Sequence, residues 1–309
     1  MTQKLLIDTD PGVDDALAIL MAAAHPGTEI AALTITAGNV GLHHTLANAL
    51  KLCEVAGIEA PVFAGAKVPL VTAHEGAEHV HGQDGFGDTG YVPATRQVED
   101  EHAALAMLRL SREQPGELTF VMLGPLTNLA LALSLDPSLP QRVPRLVIMG
   151  GAVNGRGNVR IPVEFNIGFD PEAAHLVFAR WPRFELVDWE ATVRHGLAHS
   201  LCDQWFAADT DLARFYDGIS RNNRAWSAGL RGPQWACADA LAMAQVLAPD
   251  AAITVHERAV SVELNGHHTR GMTVVDWVGQ SAAPANASIL IDYRQDHFQA
   301  LIRKAVGLG

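Results

Sequence analysis

The chain reads as a single-domain α/β fold, a Rossmann-like and mostly parallel sheet flanked by helices, with its site at the C-terminal ends of the strands. Two observations predict this. Short apolar runs rich in β-branched residues alternate with longer segments of helical period, as βαβ units do. Polar loops with Gly, Asn or Asp follow these runs, at the place where an open parallel sheet forms its ligand crevice. The 309 residues are enough for one large core, and no linker or charge block divides them, so residues 1–309 are read as one unit.

The first predicted strand, Lys4 to Asp8, runs into Asp8-Thr9-Asp10-Pro11-Gly12-Val13-Asp14-Asp15. Four carboxylates behind a buried strand repel one another unless a cation or polar ligand offsets them, and a hard divalent ion is the simplest candidate. Pro11-Gly12 turns the chain into an apolar helix over Val13 to Ala24. Its dipole favours acids in the first turn, so capping alone accounts for Asp14 and Asp15 but not for Asp8 and Asp10. Further strands are predicted at Ile30 to Thr36, Leu118 to Leu123, Leu146 to Met149 and Phe184 to Val187. The first three end at Gly38-Asn39, Gly124-Pro125 and Gly150-Gly151, and taken singly these are ordinary turn residues. Asp170-Pro171-Glu172 starts a helix with an N-cap, a proline and an acid in order. Beyond it the pattern predicts helices through Leu201 to Leu230 and Asp239 to Leu247, then hairpin-like strands at Val260 to Leu264 and Thr273 to Val278.

With 49% apolar and 18% charged residues the chain has a globular composition, and its formal charge of −12 disfavours nucleic-acid polymers and anionic membranes as partners. Cys53, Cys202 and Cys237 are too few and scattered for a disulfide framework, which suits a reducing cytoplasm. The first residues leave no room for a signal-peptide core before Asp8. The longest apolar stretch, Leu118 to Leu135, is interrupted at Gly124-Pro125 and reads as strand, turn and helix instead of a membrane span.

Five ordered segments give the chain a family resemblance: Asp8 to Ala16; Ala37-Gly38-Asn39-Val40; Leu123-Gly124-Pro125-Leu126-Thr127-Asn128; Met149-Gly150-Gly151; and Glu164-Phe165-Asn166 with Asp170-Pro171-Glu172-Ala173. In these it resembles the inosine-uridine-preferring nucleoside hydrolases over nearly its whole length. The resemblance implies a tightly bound Ca2+, a homodimer or homotetramer, and hydrolysis of ribonucleosides to base and ribose. It also implies Asp10, Asp15 and Asp239 as side-chain metal ligands, with the Leu123 carbonyl beside them. It assigns Asp14, Asn39, Asn158, Glu164 and Asn166 to the ribose, with Met149 and Phe165 adjacent, and makes Asp10 the general base toward a water activated at the metal. Such chemistry suits the residues: calcium takes six to eight oxygen ligands, and an anionic pocket stabilises a ribosyl cation that forms only in the transition state.

Leaving-group activation is where the chain departs from the pattern. Many members of the family carry a histidine just before the last metal aspartate, whereas this chain has Ala238 before Asp239. His81 is the first candidate to replace it, as a proton donor near the base; Trp226 or Trp235 can stack on the base, and Cys237 offers a thiol. Each also has an ordinary reading, as a loop hydrogen bond for His81, core packing for the tryptophans, an inert thiol for Cys237 and a zinc pair for His79-x-His81. Two rival functions share the opening motif. A haloacid-dehalogenase-like phosphatase would use Asp8 as nucleophile, and a non-hydrolytic nucleoside- or ribose-binding homologue would retain the pocket without turnover.

Overall fold

The strand Gln3–Thr9 (β1) is apolar on both faces: Leu5 and Ile7 enter one core and Leu6 the other. That is how a strand reads when helices cover both sides of its sheet. In the computed structural model, which describes residues 2–309, the remaining strands are β2 (Thr28–Ile35), β3 (Val62–Ala64), β4 (Leu118–Met122), β5 (Arg145–Met149), β6 (Phe184–Val187), β7 (Leu197–Ala198), β8 (Gln234–Trp235), β9 (Ala252–Arg258), β10 (Val260–Val262), β11 (Thr273–Val275) and β12 (Ala287–Tyr293). The helices are α1 (Val13–Ala24), α2 (Leu42–Ala56), α3 (Glu78–His81), α4 (Ala103–Glu113), α5 (Thr127–Leu135), α6 (Phe165–Phe169), α7 (Pro171–Arg180), α8 (Trp189–Arg194), α9 (His199–Phe206), α10 (Asp211–Arg231), α11 (Ala238–Leu247) and α12 (Gln295–Ala305).

Eight strands form one sheet in the order β3-β2-β1-β4-β5-β6-β12-β9, parallel throughout except for β9 at the edge. The strand order reverses between β1 and β4, and in a doubly wound sheet the crevice outside the carboxyl ends of those two strands is where ligands bind. The Asp8–Asp15 segment leaves β1 there, and Leu123 leaves β4. One core joins α1, α2, α11 and α12 to the sheet, and the other joins α4, α5 and α7. α1 is buried nearly all round, from Ala16 to Ala22, so the acidic first turn sits on an immobile base.

The expected α/β fold with a mostly parallel sheet holds, and the Val260 to Leu264 and Thr273 to Val278 segments do pair, as the antiparallel β10 and β11. Three strands of the sheet lie outside the predicted set. β3 is only three residues long, and β9 alternates intermediate and exposed residues because it is an edge, so neither shows a continuous apolar run. β12 carries Asp292 within its apolar pattern. The helices expected through Leu201 to Leu230 are α9 and α10, separated where Thr210 caps a new start by accepting the Ala213 N–H at 3.0 Å. No helix among the described residues is long and apolar enough to cross a membrane.

Candidate active site

A cavity of about 640 Å³ opens at the switch point, within the range that takes a small organic ligand. Its floor is acidic. Asp14, Asp15 and Asp239 each place a carboxylate oxygen within 4.8 Å of the others, and among the described residues they form the one cluster of metal-ligating side chains. Asp10 lies beside them: burial and repulsion from Asp15 and Asp14 push its carboxyl well above the usual range. Burial and repulsion from Asp15, Asp14 and Asp10 do the same to Asp239. None of the four forms a salt bridge with a lysine or arginine among the described residues. A buried, all-oxygen, uncompensated donor set of this kind fits a hard divalent cation.

Each carboxylate is held by its neighbours. Asp10 accepts the Asn39 N–H at 2.7 Å, while the Asn39 side-chain amide reaches the Asp10 carbonyl at 3.1 Å and Asp15 at 3.0 Å. Asp15 also accepts from the Thr9 hydroxyl and from the Gly12 N–H at 3.0 Å. Gly38 and Gly124 close on Asp10 from two sides: a Cβ on Gly38 would lie 2.0 Å from Oδ2, and one on Gly124 would lie 2.3 Å from Oδ1. Both glycines are therefore more than turn residues, since the backbone itself clamps the carboxylate.

Asp8 is a correction to the expected acidic group. It is fully buried away from the cavity and accepts the Thr34 hydroxyl at 2.7 Å and the Asn128 amide at 2.9 Å; burial pushes its pKa up to about 7. The fourth carboxylate of the floor is Asp239, brought in by α11 from more than two hundred residues away.

Glu164 caps α6 and accepts the Gly151 N–H at 2.8 Å, the Asn166 N–H at 2.9 Å and the Ile167 N–H at 3.2 Å. Desolvation outweighs these bonds and raises its pKa to about 7. The Asn166 amide donates to the Leu123 carbonyl at 2.6 Å and contacts the carbonyl and sulfur of Met149 at 3.3 Å. Asn158 accepts the Phe165 N–H at 2.9 Å, and the side chains of both line the cavity with Met149. Of the site residues expected from the sequence, Asp8, Asp15 and the candidate thiol Cys237 do not line the cavity, although Asp15 clusters with Asp14 and Asp239 of its floor; the others all line it.

The wall facing this floor comes from α3, α10 and the β8–α11 connection. His81 is buried, and its Nδ1 accepts the Val13 N–H at 3.1 Å, so its proton sits on Nε2. Desolvation lowers its pKa to about 4, leaving a neutral imidazole that can donate one hydrogen bond. His79 is exposed and meets Trp226 edge-on at 6.1 Å, and it joins His81 in no cluster of three ligands among the described residues, which answers the zinc reading. Trp235 is buried with its Nε1 donating to Asn223 at 2.7 Å. Cys237 is buried outside the cavity lining and its thiol is pushed well above the usual range by desolvation, so it stands as core packing.

Sequence reasoning named only Trp226 of one whole surface. Asn223, Trp226, Ser227, Leu230 and Arg231 all line the cavity, and their spacing of 3, 4, 7 and 8 residues from the first is one face of α10. That spacing was the available signal.

An acidic oxygen-rich centre at the switch point, ringed by amides and carboxylates and walled by aromatic rings, suits a metal-dependent enzyme whose ligand carries hydroxyl groups and a ring. A family model described as inosine-uridine preferring nucleoside hydrolase matches residues 5–300. The chain belongs to that family and is an N-glycosyl hydrolase acting on ribonucleosides. It is 33% identical, over 98% of its length and 97% of the relative's, to a pyrimidine-specific ribonucleoside hydrolase of Escherichia coli. Among solved structures it is similar to an inosine-guanosine nucleoside hydrolase, with 30% identity, a TM-score of 0.94 and full coverage of both chains. It is also similar to a purine-preferring ribonucleoside hydrolase from Gardnerella vaginalis, with 27% identity, a TM-score of 0.91 and 98% of each chain covered. These three differ in the base they are named for.

Proposed function

We propose that this chain is a calcium-dependent hydrolase of the N-glycosidic bond of ribonucleosides, releasing base and ribose with Asp10 as general base. The observation that carries this is the uncompensated carboxylate group of Asp10, Asp14, Asp15 and Asp239 at the switch point. Asp10, Asp15, Asp239 and the Leu123 carbonyl would hold the ion, and Asp14, the least buried of the four acids, would face the ribose with Asn39, Asn158, Glu164 and Asn166. Calcium bound there supplies the positive charge that offsets these carboxylates and lowers the pKa of water in the site.

Asp10 takes the proton of the attacking water, its carboxylate held in place by Asn39 and by the two flanking glycines. As the glycosidic bond lengthens, Asp14 and Glu164 stabilise the positive charge that develops on the ribosyl ring. The fixed backbone bonds to Glu164 mean that little reorganisation is needed at that moment. His81 donates a neutral hydrogen bond from Nε2 on the base side, and Trp226 and Trp235 supply aromatic surface. The net charge of −12 favours a small neutral substrate over a nucleic-acid polymer or an anionic membrane, the three scattered cysteines suit the cytoplasm, and the family resemblance implies a homodimer or homotetramer.

The test is reducing-sugar release from inosine, adenosine, guanosine, uridine and cytidine with and without chelation. Chelation-sensitive ribose release from at least one is expected. Nucleoside binding without release, on calcium-loaded protein, would replace the hydrolase with a binding homologue. Phosphatase activity lost in Asp8→Asn would revive the dehalogenase-like alternative, against which Asp8 is tied to Thr34 and Asn128 outside the cavity.

A further inference from the structure

We propose that Arg231 is the group that receives the departing base, acting in place of the proton donor that Ala238 leaves missing. This rests on the hydrolase reading above. Three arginines line the cavity. Arg160 is paired with Glu75 at 3.5 Å and Arg270 is paired with Glu172, but Arg231 forms no salt bridge or hydrogen bond among the described residues. It is nevertheless held. Its guanidinium carbon lies 4.6 Å from the ring centre of Trp189, which is buried, and 5.3 Å from that of Trp226. Two aromatic faces fix a flexible side chain through cation–π contact and leave its in-plane N–H donors free. Both Arg231 and Asp14, the outermost acid of the floor, line the same cavity.

The chemistry needs such a group. When the bond from C1′ to the base nitrogen breaks, its electron pair stays with the base; the water oxygen bonds to C1′, and the water proton goes to Asp10. The base then leaves as an anion whose charge spreads over its ring nitrogens and exocyclic oxygens until solvent protonates it. His81 is neutral and donates once, whereas Arg231 is permanently charged and can pair with two acceptors of a planar anion. The ordinary alternative is that Arg231 merely complements the C-terminal end of α10, where a cation is favoured and where it is the last residue.

The experiment compares two substrates on the calcium-loaded enzyme: the best ribonucleoside, and p-nitrophenyl ribofuranoside, whose phenolate leaves without assistance. In Arg231→Gln, kcat for the nucleoside is expected to fall about 100-fold, and at least about ten-fold more than kcat for the aryl riboside. Arg231→Lys, which keeps the charge but loses the planar fork, should fall between wild type and Arg231→Gln on the same ratio, and it provides the reading if Arg231→Gln folds poorly. Parallel losses on both substrates would place Arg231 with the ribose or the fold, and unchanged kinetics would leave it as a helix-end charge; either overturns the proposal. A wild type that cleaves neither substrate would instead remove the hydrolase reading itself.

Discussion

The floor of the cavity sets Asp10, Asp14, Asp15, Asp239 and Glu164 on backbone that leaves strand ends and helix starts, while the opposite wall hangs Asn223, Trp226 and Arg231 from one face of α10. Asp10, Asp15 and Glu164 of the floor are buried and bonded to main-chain amides, so their geometry follows from the backbone. On the wall, Trp226 and Arg231 are held by ring and guanidinium contacts, to His79, to each other and to Trp189, while Asn223 bonds the Val80 carbonyl and Trp235. On the proposed reading, attack on the glycosidic bond falls to the floor, while departure and choice of the base, for which the relatives carry different names, fall to the wall.

Perturbing each side in turn tests that division. Asp10→Ala should lower turnover by about 1,000-fold or more on every nucleoside and weaken calcium binding with it; normal turnover would move the chemistry off the floor. Gly38→Ala should cost about 100-fold in kcat, because its Cβ would sit 2.0 Å from Asp10 Oδ2 and displace the carboxylate; calorimetry and circular dichroism would show whether the fold survives, and an active variant would disprove the clamp. Trp226→Ala should change kcat/KM by about three- to ten-fold and unequally among bases, leaving calcium affinity alone; an equal loss on all bases would place Trp226 with the floor. The smallest effect is thermal. Asp239→Asn removes one charge from a mutually repelling group, so the chelated protein should melt roughly 2 °C or more higher than chelated wild type, while calcium no longer raises its Tm. A lower Tm without calcium would mean that the carboxylates are not in repulsion.

Most of the floor was readable because its signals are local. The Asp10 to Asp15 run follows an apolar strand within eight residues, and Glu164 lies two residues from Asn166. Asp239 was reachable only through the family resemblance, since nothing near it on α11 marks it as acidic for a purpose. Asp8 shares the local signal but not the site, because it still lies within β1 and bonds Thr34 and Asn128, whereas Asp10 lies past the end of the strand. The α10 wall, apart from Trp226, was missed for the opposite reason. Its residues obey a helical period that any solvated amphipathic helix also obeys, and only the packed fold reveals which stripe meets the cavity. The strands β9 and β12 escaped notice because long-range pairing, not local pattern, makes them part of the sheet.

The α10 stripe has a practical consequence. Five positions between residues 223 and 231, on one uninterrupted helix, present a cassette to whatever ring the cavity holds. On the proposed reading, exchanges at Asn223, Trp226, Ser227 and Leu230 reshape the base-side wall without touching a loop, the core or the acidic floor. A saturation library limited to those four codons, with Arg231 kept for the leaving base, is therefore the natural way to retarget the site toward a new nucleobase.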